Sequence, residues 1–111
     1  MVTIWHNPKC STSRNALARL REQGIEPDIY LYVEEKPGKG EIEAVLKKTG
    51  LKASELLRRK QPEAAELAGA TEAQILAAMA KQPILIERPI VIGKKGAVLA
   101  RPIEKLDAVV R

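Results

Sequence analysis

Phenylalanine is missing from this chain, and Trp5, Tyr30 and Tyr32 are its only aromatic residues. Leu, Ile, Val and Ala must therefore fill the core, and three aromatics make no stacking platform for nucleic-acid bases. Cysteine is as scarce. A single one, Cys10, excludes an internal disulfide and suits a reducing cytosol, so a cytoplasmic setting is expected. With His6 as the only histidine, the chain also holds too few of the usual ligands for a zinc-type centre, and no metal is expected. No apolar run approaches the roughly 20 residues of a membrane span. Neither a membrane partner nor a secretory leader is expected. Repeats and low-complexity stretches are absent too, and 111 residues suit one domain, here residues 1–111.

What is abundant is positive charge. Nineteen Lys and Arg against 14 Asp and Glu leave a net +5. Such an excess invites a nucleic-acid reading, but the basic residues are scattered. An anion-binding pocket would account for part of it, and no nucleic-acid partner is expected.

Residues 2–5 (VTIW) form a short apolar run that reads as a buried strand, which Asn7 and Pro8 break. Over 11–23, Ala16, Leu17 and Leu20 share one helical face, and Gly24 fits the stop. Residues 28–33 (DIYLYV) are rich in β-formers and read as a second strand, followed by a loop over 36–40. A helix carrying Ile42, Val45, Leu46 and Thr49 is closed by Gly50, and shorter helices are expected over 53–58 and 62–67. Thr71 and Gln74 have capping-box spacing ahead of Ile75, Leu76 and Met79, and Pro83 bounds that helix. Residues 90–92 and 97–100 flank Gly93-Lys94-Lys95-Gly96, a hairpin signal. Pro102 suits the start of a last helix with Ile103, Leu106 and Val110 inward. The order β-α-β, helical middle, β-β-α requires a parallel pair and an antiparallel hairpin, as a mixed sheet allows.

Cys10 stands between a strand-like run and a helix, in HNPKCSTSRN at 6–15. A sulfur at a helix start meets unpaired N–H groups and the positive end of the dipole, and both favour the nucleophilic thiolate. The same N–H groups can hold an oxyanion. Lys9, Arg14 and a protonated His6 are candidates for added positive charge, and Ser11, Thr12 and Ser13 for caps or donors. A lone cysteine can equally be a small buried hydrophobe, and His6 a satisfied loop histidine. Farther along, Arg58 follows an apolar Leu56-Leu57 pair, while Arg88 and Arg101 each open an Arg-Pro-Ile triplet. Planar guanidinium donors suit tetrahedral oxyanions, although solvated strand-end arginines fit the spacing as well.

HNPKCSTSRN, LLRRK at 56–60, LIERPIVI at 85–92 and ARPIEKL at 100–106 together resemble the ArsC family of glutathione/glutaredoxin-coupled arsenate reductases, in order and over nearly the whole chain. The likeness is closest to the compact YfgD-like branch. The resemblance implies an α/β fold: a thioredoxin-like mixed β-sheet flanked by helices, with a helical insertion at about 38–82. By motif position Cys10 and His6 match the catalytic cysteine and its neighbouring histidine. Arg58, Arg88 and Arg101, with Ser13 and Arg14, match the substrate-binding set, although Arg59 lies one residue from the match at Arg58. Pro89 matches the cis-proline position. The implied chemistry is a covalent adduct between Cys10 and arsenate, reduction to arsenite with glutathione as co-substrate, and release of Cys10 by glutaredoxin. No bound cofactor is implied, and a monomer is expected.

Two other readings remain open from the sequence. One is a glutathione-dependent thiol reductase or transferase on the same fold. The other is an Spx-like regulatory binding protein, though such proteins commonly carry a Cys-x-x-Cys switch where residues 10–13 here read CSTS.

Overall fold

The computed structural model describes residues 1–111. They form two compact units, Met1–Tyr32 with Arg88–Arg111, and Val33–Glu87. The first unit holds a four-stranded sheet of β1 (Thr3–Trp5), β2 (Asp28–Tyr30), β3 (Ile90–Gly93) and β4 (Gly96–Leu99), ordered β2-β1-β3-β4. β1 runs parallel to β2 and antiparallel to β3, and β3 and β4 form the expected hairpin with Gly93 opposite Gly96. The sheet is thus the mixed one that the element order requires.

Helix α1 (Ser11–Glu22) connects β1 to β2 and lays Ala16 and Leu20 on a core shared with Ile4, Val91, Ala100, Leu106 and Val109. Its stop follows the sequence, since Gly24 has φ +79° and its N–H donates to the Arg21 carbonyl. On the other face of β1, Trp5 lies against Tyr30 (centroids 5.2 Å) and Tyr32 (6.1 Å), so all three aromatics form one cluster.

The second strand is shorter than its composition suggests. β2 ends at Tyr30, and a helical turn, α2 (Tyr32–Glu35), begins two residues on. β1 is three residues long and β2 pairs with nothing else, so no partner exists for the rest of DIYLYV. Tyr32 is instead fully buried against Trp5.

The second unit is helical, and the expected insertion falls inside it. Helix α3 (Lys39–Thr49) begins inside the expected 36–40 loop and ends on Gly50 at φ +76°. It packs on α5 (Glu72–Lys81), which also packs on α4 (Ala53–Leu56). The capping box of α5 is formed: Thr71 Oγ1 accepts the Gln74 N–H, and Gln74 Oε1 accepts the Thr71 N–H. The 62–67 helix is a 3₁₀ helix, Pro62–Leu67. The helix expected over 53–58 stops at Leu56. Leu57 bridges Ile86, Leu56 accepts the Glu87 N–H, and Arg58 donates its N–H to the Leu85 carbonyl. A six-residue helix has few internal bonds to lose to such pairing.

At the C-terminus the last helix starts as a 3₁₀ turn, Ile103–Leu106, and continues as α6 (Asp107–Val110). The tighter 3₁₀ turn repeats every three residues. It carries the buried face from Leu106 to Val109, while the expected Val110 is half-buried and packs against the same core. No helix in the structure is long and apolar enough to cross a membrane.

Candidate active site

Cys10 is the N-cap of α1, in extended backbone (φ −103°, ψ 122°), with helix beginning at Ser11. The loop before it is closed locally. The Cys10 N–H donates to the Asn7 carbonyl at 3.0 Å, and Asn7 Oδ1 accepts the Lys9 N–H, also at 3.0 Å. This side-chain turn is the usual reason for an Asn ahead of a tight loop. Asn7 is a residue that sequence reasoning treated only as a strand breaker, and its Asn-Pro context was the available signal.

Burial pushes the Cys10 thiol up, but it is outweighed. The Ser13 N–H, the charge and hydrogen bond of Arg88, and the Thr12 N–H together hold the thiol below its ordinary value. This is the helix-start effect, with orphan N–H groups turned onto sulfur. The cation is not among those nearest in sequence. Arg14 donates its Nη1 to the Pro8 carbonyl at 2.8 Å, bracing the loop.

His6 is not the protonated neighbour that the sequence suggested. It is buried, 6% exposed. Burial and the positive charges of Arg21 and Arg14 lower its pKa below the ordinary value of 6.5, so the ring is neutral at pH 7. Its Nδ1 lies 2.7 Å from the hydroxyl of Ser13, which is fully buried and whose oxygen accepts the Asn7 N–H at 3.0 Å. The Ser13 side chain is therefore turned to His6 and Asn7, while its backbone N–H serves the sulfur.

Arg88 and Arg101 are coupled. Arg101 donates Nη1 to the Arg88 carbonyl at 2.9 Å, and the peptide bonds that follow both arginines, to Pro89 and Pro102, are cis. A guanidinium carries five donors, so this bond leaves Arg101 with others. His6, Cys10, Ser13, Arg14, Arg88 and Arg101 all lie in the first unit. Arg58 lies in the second, half-buried, with its Nε buried and without a hydrogen-bond partner. Its neighbour Arg59 is exposed and donates to the Ser54 carbonyl at 3.3 Å.

The loop thus presents one activated thiol amid oriented N–H groups and a guanidinium, a combination able to attack an electrophile and neutralise an anion. A sequence model of the ArsC family matches residues 5–109. An arsenate reductase of Rhizobium meliloti (strain 1021) is 42% identical over 107 residues, covering 93% of this chain and 76% of the relative. The uncharacterized protein YfgD of Escherichia coli K12 is 38% identical over 114 residues, covering 98% of this chain and 96% of that one. A solved arsenate reductase from Vibrio cholerae superposes with a TM-score of 0.93 at 38% identity, over 98% of this chain and 97% of that structure.

Proposed function

The chain belongs to the ArsC family, and from that premise we propose that it reduces arsenate to arsenite through Cys10. The observation that carries the reading is the state of the thiol: one cysteine, at a helix start, held below its ordinary pKa by two N–H groups and Arg88. That favours the thiolate over the thiol and offers a nucleophile without a second cysteine.

In this reaction the Cys10 thiolate attacks arsenic, forming an S–As bond as one oxygen leaves as water. Arg88 and Arg101, with the N–H groups of the α1 start, offset the charge of the remaining oxygens. Arg58 is given the same role from its motif position alone. Ser13 contributes through its N–H, and Arg14 through the loop that it braces. A glutathione thiol then attacks the adduct. The two sulfurs join in a mixed disulfide on Cys10, the S–As electron pair stays on arsenic, and arsenite departs. Two thiols have supplied the two electrons. A glutaredoxin thiolate takes the glutathionyl group and frees Cys10, so the chain needs no bound cofactor or metal. Chemistry run on free thiols suits a cytoplasmic monomer.

The test is NADPH oxidation by glutathione reductase, coupled to arsenate, glutathione and glutaredoxin. Arsenate-dependent turnover that disappears in Cys10→Ser supports the reading. Turnover of a small glutathione mixed disulfide with no response to arsenate would replace it with the thiol-reductase alternative.

A further inference from the structure

The chain enters Cys10 through the turn Asn7-Pro8-Lys9-Cys10, which the Cys10 N–H closes on the Asn7 carbonyl at 3.0 Å. Pro8 stands where its fixed φ suits such a turn. The peptide at the centre, between Pro8 and Lys9, is held at both poles. Its N–H donates to Asn7 Oδ1 at 3.0 Å, and its carbonyl accepts Arg14 Nη1 at 2.8 Å. The same two residues hold the backbone of Cys10, whose carbonyl accepts the Arg14 N–H at 3.0 Å. We infer that Asn7 and Arg14 are a pair of positioning residues: acting on opposite poles of the Pro8–Lys9 peptide, they fix the path of the chain into Cys10 and hence the point from which its sulfur attacks.

Two opposed bonds do what one does not. Both are exposed, so water competes at each pole, and a single bond leaves the peptide free to rock. Turned over, the peptide would set the Pro8 carbonyl against Asn7 Oδ1 and the Lys9 N–H against the Arg14 guanidinium, acceptor on acceptor and donor on donor. The residue types suit the task. An Asn side chain reaches the N–H two residues on, and the long Arg14 side chain returns six residues along the chain to Pro8. The donors on the sulfur are others, the Ser13 and Thr12 N–H groups and Arg88. Arg88 and Arg101 stand on the segments that flank the hairpin, so nucleophile and oxyanion donors are carried by separate stretches of chain. The turn sets their alignment, and a misplacement of roughly 1 Å costs up to about a hundredfold in rate. The pair therefore contributes to alignment and leaves the thiol's activation to its own donors.

The inference rests on the arsenate-reductase reading for its kinetic arm, while its exchange arm needs no substrate. Asn7→Ala, Arg14→Ala, the double variant and Asn7→Ser are compared with the wild type; each removes exposed side-chain bonds only, so the fold is kept. Amide hydrogen exchange read by NMR should show the Lys9 N–H protected in the wild type and unprotected in either alanine variant, including Arg14→Ala, which leaves its acceptor in place. In either single variant kcat for arsenate should fall about tenfold, with the arsenate KM and the pH inflection of Cys10 alkylation unmoved. The double variant should be no worse than the more affected single one, because both act on one peptide. Asn7→Ser, whose hydroxyl makes the same turn more weakly, should recover part of the loss. Lys9 protection in Arg14→Ala equal to the wild type, or additive losses of kcat, would overturn the inference. An arsenate KM that rises in Arg14→Ala alone would make Arg14 a direct ligand of the anion, and an alkylation inflection that moves with kcat would make the pair part of thiol activation; either also overturns it. Absence of arsenate turnover in the wild type would sink the proposed function by itself, and Lys9 exchange in the variants then decides for or against the pair.

Discussion

Arg88 is the cation that meets the Cys10 thiol, and it does so by charge and by a hydrogen bond together. Arg88→Ala should therefore shift the alkylation inflection of Cys10 upward, and Arg88→Lys should restore only part of it. An ammonium keeps the charge and loses the planar fork. A charge-assisted bond in a sheltered site is worth roughly 1.5–3 kcal/mol, so arsenate turnover should fall on the order of tenfold to a hundredfold in the alanine variant. Equal inflections in all three proteins would refute the assignment. Arg101 acts on the same strand end through the Arg88 carbonyl. Its loss should therefore weaken arsenate turnover more than it shifts the thiol, a split that separates oxyanion binding from thiol activation. The residue types were legible early, because a cysteine between a strand and a helix is a local pattern. Which charge it meets was not: Lys9 and Arg14 are neighbours in sequence, but successive helical side chains point about 100° apart.

The hairpin and the last helix depend on each other at one backbone position. A Cβ on Gly93 would come within 2.2 Å of the Val109 carbonyl oxygen and 2.9 Å of its carbon, both backbone atoms that cannot swing away. Gly93 therefore lets α6 lie directly on β3, and the Lys95 N–H donates to the same carbonyl at 3.4 Å. Gly93→Ala should cost about 1–3 kcal/mol, the usual range for overpacking, measured as a lower urea midpoint at unchanged slope. A stability equal to the wild type would mean that α6 shifts freely. The capping box of α5 is a second element-scale device, and Thr71→Ala should cost about 1 kcal/mol. Both glycines of the hairpin and both residues of the box were visible in the sequence, because their partners lie within four residues. Gly93 read only as a turn residue; its contact with Val109 is long-range and has no sequence signature.

Across the whole chain, the longest side-chain tie joins α1 to α6. Asp107 accepts Arg19 Nη2 at 2.6 Å and Nε at 3.1 Å, and Gln23 Nε2 at 2.7 Å. The Arg19 bond, then that of Gln23, outweighs burial and lowers the Asp107 carboxyl from 3.8 to about 2. The native carboxylate holds its proton less tightly than the unfolded one, so this contribution is complete above about pH 4. It is lost as pH falls toward 2. Asp107→Asn should flatten the acid limb of the stability curve in that window, and an unchanged limb would show that the tie carries nothing. The sequence by itself determined the ends of α1 and α5, the stop of α3, the hairpin, the order of the strands along the chain and the position of the reactive cysteine. Each of these is decided by chemistry within a few residues. Only the tertiary structure decided that β2 ends at Tyr30, that the last helix buries Val109, that His6 is neutral and that Arg88 is the activating cation. The physical reason is common to all four. Strand length needs a partner strand, a helix face needs a surface, and a charge state needs burial and neighbours, and these are supplied by residues far away in the chain.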